Sequence, residues 1–503
     1  MIRLLSRSAF LLAIGVVCQP ATADVSLPNV FGNSMVLQRD HQNAVWGKAA
    51  PGEVVSVAID SQMHTATADD KGDWKVTLKP MRIGEPKELV VKGKNEIRLT
   101  DVLVGEVWIC SGQSNMQWTV SNSNDFALEA AAANFPEIRM INFPQVGVQE
   151  PVWSHDTRTW MVCSPETVGS FSAVGYFFAR QLHQTLGIPI GMINNAWGGS
   201  ACEAWINRDL LQKDPQYAPM MERWSKNETR LGELSALSQV DDKQKAELEN
   251  LKKQMSGNHR PANIYNGVLK SHIGYGIRGA IWYQGESNAG RAYQYRELFP
   301  LMISSWRDEW GQGKFPFYWV QLADYLAEKP EPADSAWAEL REAQTMTMAA
   351  LPHTGQAVII DIGEGKDIHP RNKLDVGKRL ARWALANEYG VKIPFRSPEY
   401  KSMEVVDGKA VLSFDHVGGG WRPFDVADPI GFAIAGEDMK FVMAKAKLLK
   451  DGRIEVSAES INNPVSVRYG WADNPVCNLF SVTDLPLTPF RTDDWPGVTA
   501  TVK

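Results

Sequence analysis

The stretch "VGEVWICSGQSNMQW", residues 104–118, decides how the rest of this chain is read. An apolar run from Val104 to Cys110 stops abruptly in small and polar residues, with Ser114 set between Gln113 and Asn115. A short continuous apolar segment that ends in a turn is the pattern of a strand covered on both faces. In an open α/β sheet the ligand lies beyond the carboxyl ends of the strands, which is where this pattern puts Ser114.

Working outward, the same pattern recurs. "IGMINNA" (190–196), "GAIWYQ" (279–284), "FYWVQ" (317–321) and "AVIIDI" (357–362) are near-continuous apolar runs. Between them the periodicity is helical. Val174, Phe177, Phe178 and Leu182 share one face, as do Val376, Leu380, Trp383 and Ala384. Residues 102–395 therefore read as an α/β domain with a parallel sheet. Residues 24–101 differ: alternating runs such as "EVVSVAI" and "DWKVTL" are separated by "APGE", "DDKGD" and "KGKNE". Strand and turn signals at such short intervals predict a β-sandwich-like module. After residue 396 alternation returns in "KAVLSF", "KLLKDGRIEVSA" and "VSVRYGW", so 396–503 reads as a C-terminal β-rich module, with the first β module as one surface for it to pack on. One segment interrupts the α/β part: residues 209–260 are polar, helix-prone and rich in Lys and Glu, either a solvated helical excursion or a lid.

Composition limits the function. With 503 residues, 44% hydrophobic and 22% charged, the chain can fill more than one core. Its formal net charge is −6, or −8 without Arg3 and Arg7, and no Lys/Arg block breaks that balance, so nucleic acid is not an expected partner. Residues 1–23 run from Arg3 and Arg7 through an apolar stretch to Ala21-Thr22-Ala23, the order of a secretory signal peptide cut before Asp24. The apolar stretch is shorter than the roughly 20 residues a membrane span needs. An exported chain, periplasmic or extracellular, is the expectation, with no membrane association after cleavage. Cys110, Cys163, Cys202 and Cys477 would then meet an oxidising compartment, as paired or as buried free thiols. Neither CxxC nor HExxH occurs, so no metal is expected.

Four polar or glycine-rich segments follow the strand-like runs: "SGQSN", "NNAWGGS", "GESN" and "GEGKDIHP". A serine hydroxyl needs a base to take its proton, and His369 on the last segment is suited to that. The imidazole needs a partner to hold its tautomer, and Asp367 is two residues away. Acyl transfer also needs donors for the developing oxyanion. The N–H groups of Ser114 and Gly199 and the side-chain amide of Asn288 are candidates. Taken alone each segment is ordinary turn chemistry. Their shared position at strand ends is what suggests a site.

These residues also resemble a known family. "SGQSNM" with Ser114, the Gly-Gly at 198–199, "GESN" with Asn288 and "DIHP" with His369 are similar to the four blocks of the SGNH hydrolase superfamily. More closely, "IWYQGESNA", "DIHPRNK" and "GWADNPVCNLF" with "LPLTPFRT" resemble the sialate O-acetylesterase family. The resemblance implies an SGNH-hydrolase-like three-layer sandwich flanked by β-rich modules. It also implies a serine esterase that removes O-acetyl groups from sugars without a cofactor. By position it makes Ser114 the nucleophile, His369 the base, and Gly199 and Asn288 oxyanion donors beside the Ser114 N–H. The D-x-x-H spacing of that superfamily would put the acid at Lys366, so Asp367 is assigned instead, with Glu364 and a Ser–His dyad as rivals.

Substrate contacts are assigned to Trp118, Glu203, Trp205, Gln284 and Glu286, which adjoin or lie within the motif blocks. Arg208, Arg260 and Arg291 are candidates for a sugar carboxylate, for which a guanidinium fork is suited. The expected partner is an acetylated sugar or oligosaccharide, either a sialic acid or a plant hemicellulose such as xylan or xyloglucan. Two other classes remain: a non-catalytic carbohydrate-binding protein, and a peptidase or lipase, against which stands the lack of a G-x-S-x-G elbow at Ser114.

Overall fold

The structure is a computed structural model that describes residues 24–155 and 158–502. The expected leader, residues 1–23, lies outside the described residues. Among the described residues, seven strands form the central path of an 11-stranded sheet: β1 (Glu96–Gly112), β2 (Phe135–Asn142), β3 (Trp160–Cys163), β4 (Ile190–Asn194), β5 (Gly279–Tyr283), β6 (Phe317–Val320) and β7 (Thr354–Ala357). Their spatial order is β7-β6-β5-β1-β4-β2-β3. All neighbours are parallel except β3, which runs antiparallel on β2.

The helices named here are α1 (Ser114–Gln117), α2 (Ala173–Leu186), α3 (Ala218–Ser235), α4 (Asp242–Met255), α5 (Ala292–Trp310), α6 (Ala336–Ala350) and α7 (Lys373–Asn387). Alternate residues of the strands feed two cores. Trp108, Cys110, Ile281 and Tyr283 join Phe177 and Phe178 of α2 and Leu380 and Trp383 of α7. Val107, Ile109, Ala280 and Trp282 join Leu298, Met302 and Trp306 of α5. Helix, sheet and helix thus form three layers, because both faces of these strands are apolar and each must be covered. The expected helical faces of α2 and α7 are buried as their periodicity requires. Gly377 lets the two helices meet, since a Cβ there would lie 2.6 Å from the Phe177 Cβ.

Two local expectations change. The run "AVIIDI" is not itself the strand. The ladder covers Thr354–Ala357, while Val358, Ile359 and Ile360 are buried after it has ended. The boundary expected at 101/102 falls inside one strand. β1 pairs antiparallel with Lys87–Lys92 in its first half, then parallel with Val36–Gln38, and then enters the central sheet. Asp101 sits at the changeover with φ +56°, its carboxylate accepting hydrogen bonds from Ser34 and Arg139. The N-terminal β module and the α/β layers share one continuous apolar core.

The C-terminal part has its own core of Leu412, Phe432, Ile434, Val456 and Val467, set among short antiparallel strands. Among the described residues, hydrogen bonds and ion pairs anchor it to the α/β body. Arg341 donates to the carbonyls of Ala472 and Asp473, and Arg491 pairs with Glu342. Residues 218–255 form a two-helix hairpin, α3 against α4. Among the described residues no helix is long and apolar enough to cross a membrane.

Candidate active site

The chain leaves β1 through Gly112, whose φ is +130° and where a Cβ would lie 2.2 Å from the Tyr283 carbonyl oxygen. A glycine is required by both the dihedral and the space. The turn puts Ser114 at the start of the one-turn helix α1, half-buried at the sheet edge. Its Oγ lies 2.8 Å from His369 Nε2. His369 Nδ1 approaches Asp367 Oδ1 at 3.3 Å, and the same oxygen accepts the His369 backbone N–H at 2.9 Å. Glu364 is turned elsewhere, accepting the backbone N–H of Arg371 at 2.8 Å. Of the two carboxylates weighed from sequence, Asp367 is the one facing the imidazole.

Trp118 stacks on His369 with ring centroids 5.0 Å apart and planes inclined by 13°. Its indole N–H donates to the Asn122 carbonyl, which fixes the ring. One face of this tryptophan is therefore spent on the imidazole. Burial lowers the His369 pKa, Asp367 opposes that shift, and the Lys373 cation reinforces it.

Gly199 lies in a turn with φ +72°. The neighbouring Gly198 N–H is held by Gln117 Oε1 at 2.7 Å, and the Gly199 carbonyl accepts from Ser287 at 2.9 Å. Asn288 is buried with its amide fixed on both sides. Its oxygen accepts from the Cys202 N–H at 2.9 Å and Gln284 Nε2 at 2.7 Å, and its nitrogen donates to Glu203 Oε2 at 3.0 Å. A side-chain amide has two N–H donors, and Glu203 takes one. The structure thus gathers Ser114, His369, Asp367, Gly199 and Asn288 from four loops at one sheet edge.

Of the five residues assigned to substrate, three are placed elsewhere. Trp205 is fully buried, edge-on to Trp282 at 5.5 Å and tilted against Trp306 at 6.0 Å. It is a core residue, since an indole buries more area than almost any other side chain. Gln284 is also fully buried, bridging the Ser200 carbonyl, Asn288 and Tyr295. Glu203 is buried too and holds Arg291 and Asn288. The arginines are likewise committed. Arg291 pairs with Glu203, while Arg208 and Arg260 both grip Glu228. None of these three forks is left for a ligand carboxylate.

Glu286 belongs to a cluster that sequence reasoning missed. Asn115, next to the serine, donates from Nδ2 to Glu286 Oε1 at 2.7 Å and to the Ile368 carbonyl at 3.0 Å. Its Oδ1 accepts from Lys373 Nζ at 2.6 Å. Lys373 is fully buried, and burial pushes its pKa down to about 7, while burial pushes the Glu286 carboxyl up. Asn115 so ties together the serine turn, the "GESN" loop and the histidine loop. Its position inside "SGQSNM", and that of Lys373 inside "DIHPRNK", was the signal that could have found them.

The four cysteines Cys110, Cys163, Cys202 and Cys477 are free thiols. Burial pushes Cys163 up to about 12 and Cys110 higher still, so neither is a nucleophile at neutral pH. Among the described residues no three of His, Cys, Asp or Glu come together to hold a metal ion.

The family described as carbohydrate esterase, sialic acid-specific acetylesterase, matches residues 104–240 and 250–386. The chain is similar to the sialate O-acetylesterase of Mus musculus, 29% identical, with 95% of this chain and 96% of that protein covered. To the Homo sapiens protein of the same name it is 28% identical, with 93% of each covered. Among solved structures, a carbohydrate acetylesterase from Xanthomonas citri is similar at a TM-score of 0.80 and 38% identity, covering 94% of this chain and 100% of that one.

Proposed function

The chain belongs to the sialic acid-specific acetylesterase family of carbohydrate esterases, and from that premise we propose that it hydrolyses sugar O-acetyl esters through Ser114 as nucleophile. It is a carboxylic ester hydrolase, and the carbohydrate acetylesterase at TM-score 0.80 agrees with that chemistry. The observation that carries the serine mechanism is the 2.8 Å contact between Ser114 Oγ and His369 Nε2.

His369 Nε2 takes the Ser114 proton as Oγ attacks the acetyl carbonyl carbon. The charge that develops on the carbonyl oxygen is met by N–H donors of Ser114, Gly199 and Asn288. Collapse breaks the bond to the sugar oxygen, and His369 returns the proton to that leaving alkoxide. Water, deprotonated by His369, then attacks the acetyl group on Ser114. Acetate departs and the serine regains its proton. Asp367 accepts from Nδ1 and stabilises the imidazolium formed in both halves. With these roles the proposed mechanism is that of an SGNH hydrolase.

The sialate O-acetylesterases similar to this chain support an acetylated sialic acid as substrate. A second reading, an acetylated neutral hemicellulose, is favoured by the arginines. Arg208, Arg260 and Arg291 are all engaged by glutamates, so no fork among them awaits a carboxylate. The leader-like residues 1–23 support export, and N-terminal sequencing of the secreted protein should begin at Asp24.

The test is acetate release from acetylated sialic acid, xylan and xyloglucan by the wild type and by Ser114→Ala. Release that disappears in the variant is expected, and the preferred substrate identifies the target. Undiminished release by Ser114→Ala would overturn the serine mechanism.

A further inference from the structure

The helical hairpin of residues 218–255 has no part in the chemistry above, yet it reaches the catalytic edge. Asn258, just beyond α4, donates from Nδ2 to the Gly198 carbonyl at 2.5 Å, and His259 bonds the Gly199 carbonyl at 2.8 Å. The Ala201 N–H returns a bond to the Asn258 carbonyl at 3.1 Å. Gly198 in turn abuts the nucleophile: a Cβ built there would lie 3.4 Å from the Ser114 Cβ. The Gly198-Gly199 turn thus links the surroundings of Ser114 to the loop at the base of the hairpin.

Asn258 and His259 also line a cavity of about 430 Å³, together with Trp224, Asn227, Asn250 and Gln254 among others. That volume lies within the range of small-molecule sites. Trp224 is half-buried at the foot of α3, Asn250 is exposed on α4, and the charged residues of the lining are Arg223 and Lys253, with no carboxylate. An indole face with amide groups around it matches a pyranose, whose C–H face is apolar and whose rim carries hydroxyls needing both donors and acceptors.

The hairpin is built as a fixed wall. Glu228 on α3 is clamped between Arg208 and Arg260, and Asn227 Nδ2 bonds Gln254 Oε1 across the two helices at 3.1 Å. Asn263 Nδ2 holds the carbonyls of Met255 and Gly257, which sets the loop carrying Asn258 and His259. A cavity held this firmly is preorganised, which lowers the ordering cost of binding.

We propose that the cavity between α3, α4 and residues 257–259 is a carbohydrate subsite that holds a sugar ring adjacent to the one whose acetyl group meets Ser114. This rests on the acetylesterase reading and deepens it: the insertion selects oligosaccharides over isolated acetylated sugars. A neutral glycan and a sialoside share the ring chemistry that the cavity recognises.

The experiment compares kcat/KM for an acetylated xyloglucan oligosaccharide, an acetylated sialoside and p-nitrophenyl acetate, in wild type, Trp224→Ala, Trp224→Phe and Asn250→Trp. Asn250 is exposed, so the larger ring fills the cavity without touching the core. For at least one glycan, the ratio of its kcat/KM to that of p-nitrophenyl acetate should fall about tenfold in Trp224→Ala and Asn250→Trp, mainly through KM. Trp224→Phe should recover part of the loss. The glycan affected identifies the source of the ring. Ratios unchanged for both glycans in both variants would overturn the subsite. A wild type that cleaves p-nitrophenyl acetate but no acetylated glycan would instead overturn the carbohydrate reading, and thermal unfolding of each variant separates loss of fold from loss of binding.

Discussion

Lys373 Nζ lies 2.6 Å from Asn115 Oδ1, so a buried lysine stands one hydrogen bond behind the residue that follows Ser114. Through Asn115 it is linked to the Glu286 carboxylate and to the carbonyl of Ile368, the residue before His369. The Lys373 ammonium also lies 5.4 Å from the Tyr283 ring centroid and 5.9 Å from that of Trp118. Position and charge at the sheet edge that carries Ser114 and His369 are thus set from one point.

Lys373→Met removes that charge. With its pKa pushed down to about 7 by burial, Lys373 is protonated below that pH, the range in which His369 titrates, and it lowers the imidazole pKa there. Without it the His369 pKa rises, so the acid limb of kcat/KM moves to higher pH. The rate at neutral pH should also drop about tenfold or more, because Asn115 loses the partner that orients it. A pH–rate profile checks this, and a limb that stays in place refutes it.

Asp367→Asn should move the limb the other way. Burial already holds His369 below its usual pKa of about 6.5, and Asp367 is the group that opposes the shift. Removing its charge lowers the pKa further, while the maximal rate falls about 100-fold because the imidazolium loses its partner. Glu364→Gln should stay within about threefold of wild type, since Glu364 bonds the Arg371 N–H rather than His369. Equal losses in the two variants would contradict the assignment of Asp367.

Trp118→Ala should slow every ester, including p-nitrophenyl acetate, by lowering kcat. The ring stacks on the imidazole of His369, the proposed base, and a misplaced base costs rate whatever the leaving group is. Trp118→Phe should recover part of the activity by restoring a flat partner. A change confined to the KM of sugar substrates would show Trp118 to be a sugar platform instead.

Trp205→Ala should act on stability. The indole is fully buried against Trp282 and Trp306, and removing it costs about 3–5 kcal/mol. Chemical denaturation would read this as a lowered midpoint. Unaltered stability with weakened sugar binding would return Trp205 to the substrate site.

How much was legible in the sequence differs from residue to residue. Strands buried on both faces announce themselves by composition, so β1, β4, β5 and β6 were visible as apolar runs. The last strand was misplaced because Val358 to Ile360 are as apolar as a strand but are buried outside the ladder. Ser114 and His369, which the structure brings together, were legible as candidates because each follows a strand-like run in a polar loop. Trp205 and Gln284 lie beside the same motifs and looked equally suited to a ligand. Adjacency in the chain does not say which way a side chain points.

Local sequence by itself determined the alternation of strand and helix, the turn at Gly112 and the set of polar loops at one sheet edge. These follow from periodicity and steric rules that act within a few residues. Only the tertiary structure decided that Asp367 rather than Glu364 faces His369, that Arg208, Arg260 and Arg291 are taken by glutamates, and that Lys373 is buried behind Asn115. Ser114 and His369 are separated by 255 positions along the chain. Partners so distant are chosen by how the layers pack, because a buried charge or amide must find its counterpart wherever the fold places one.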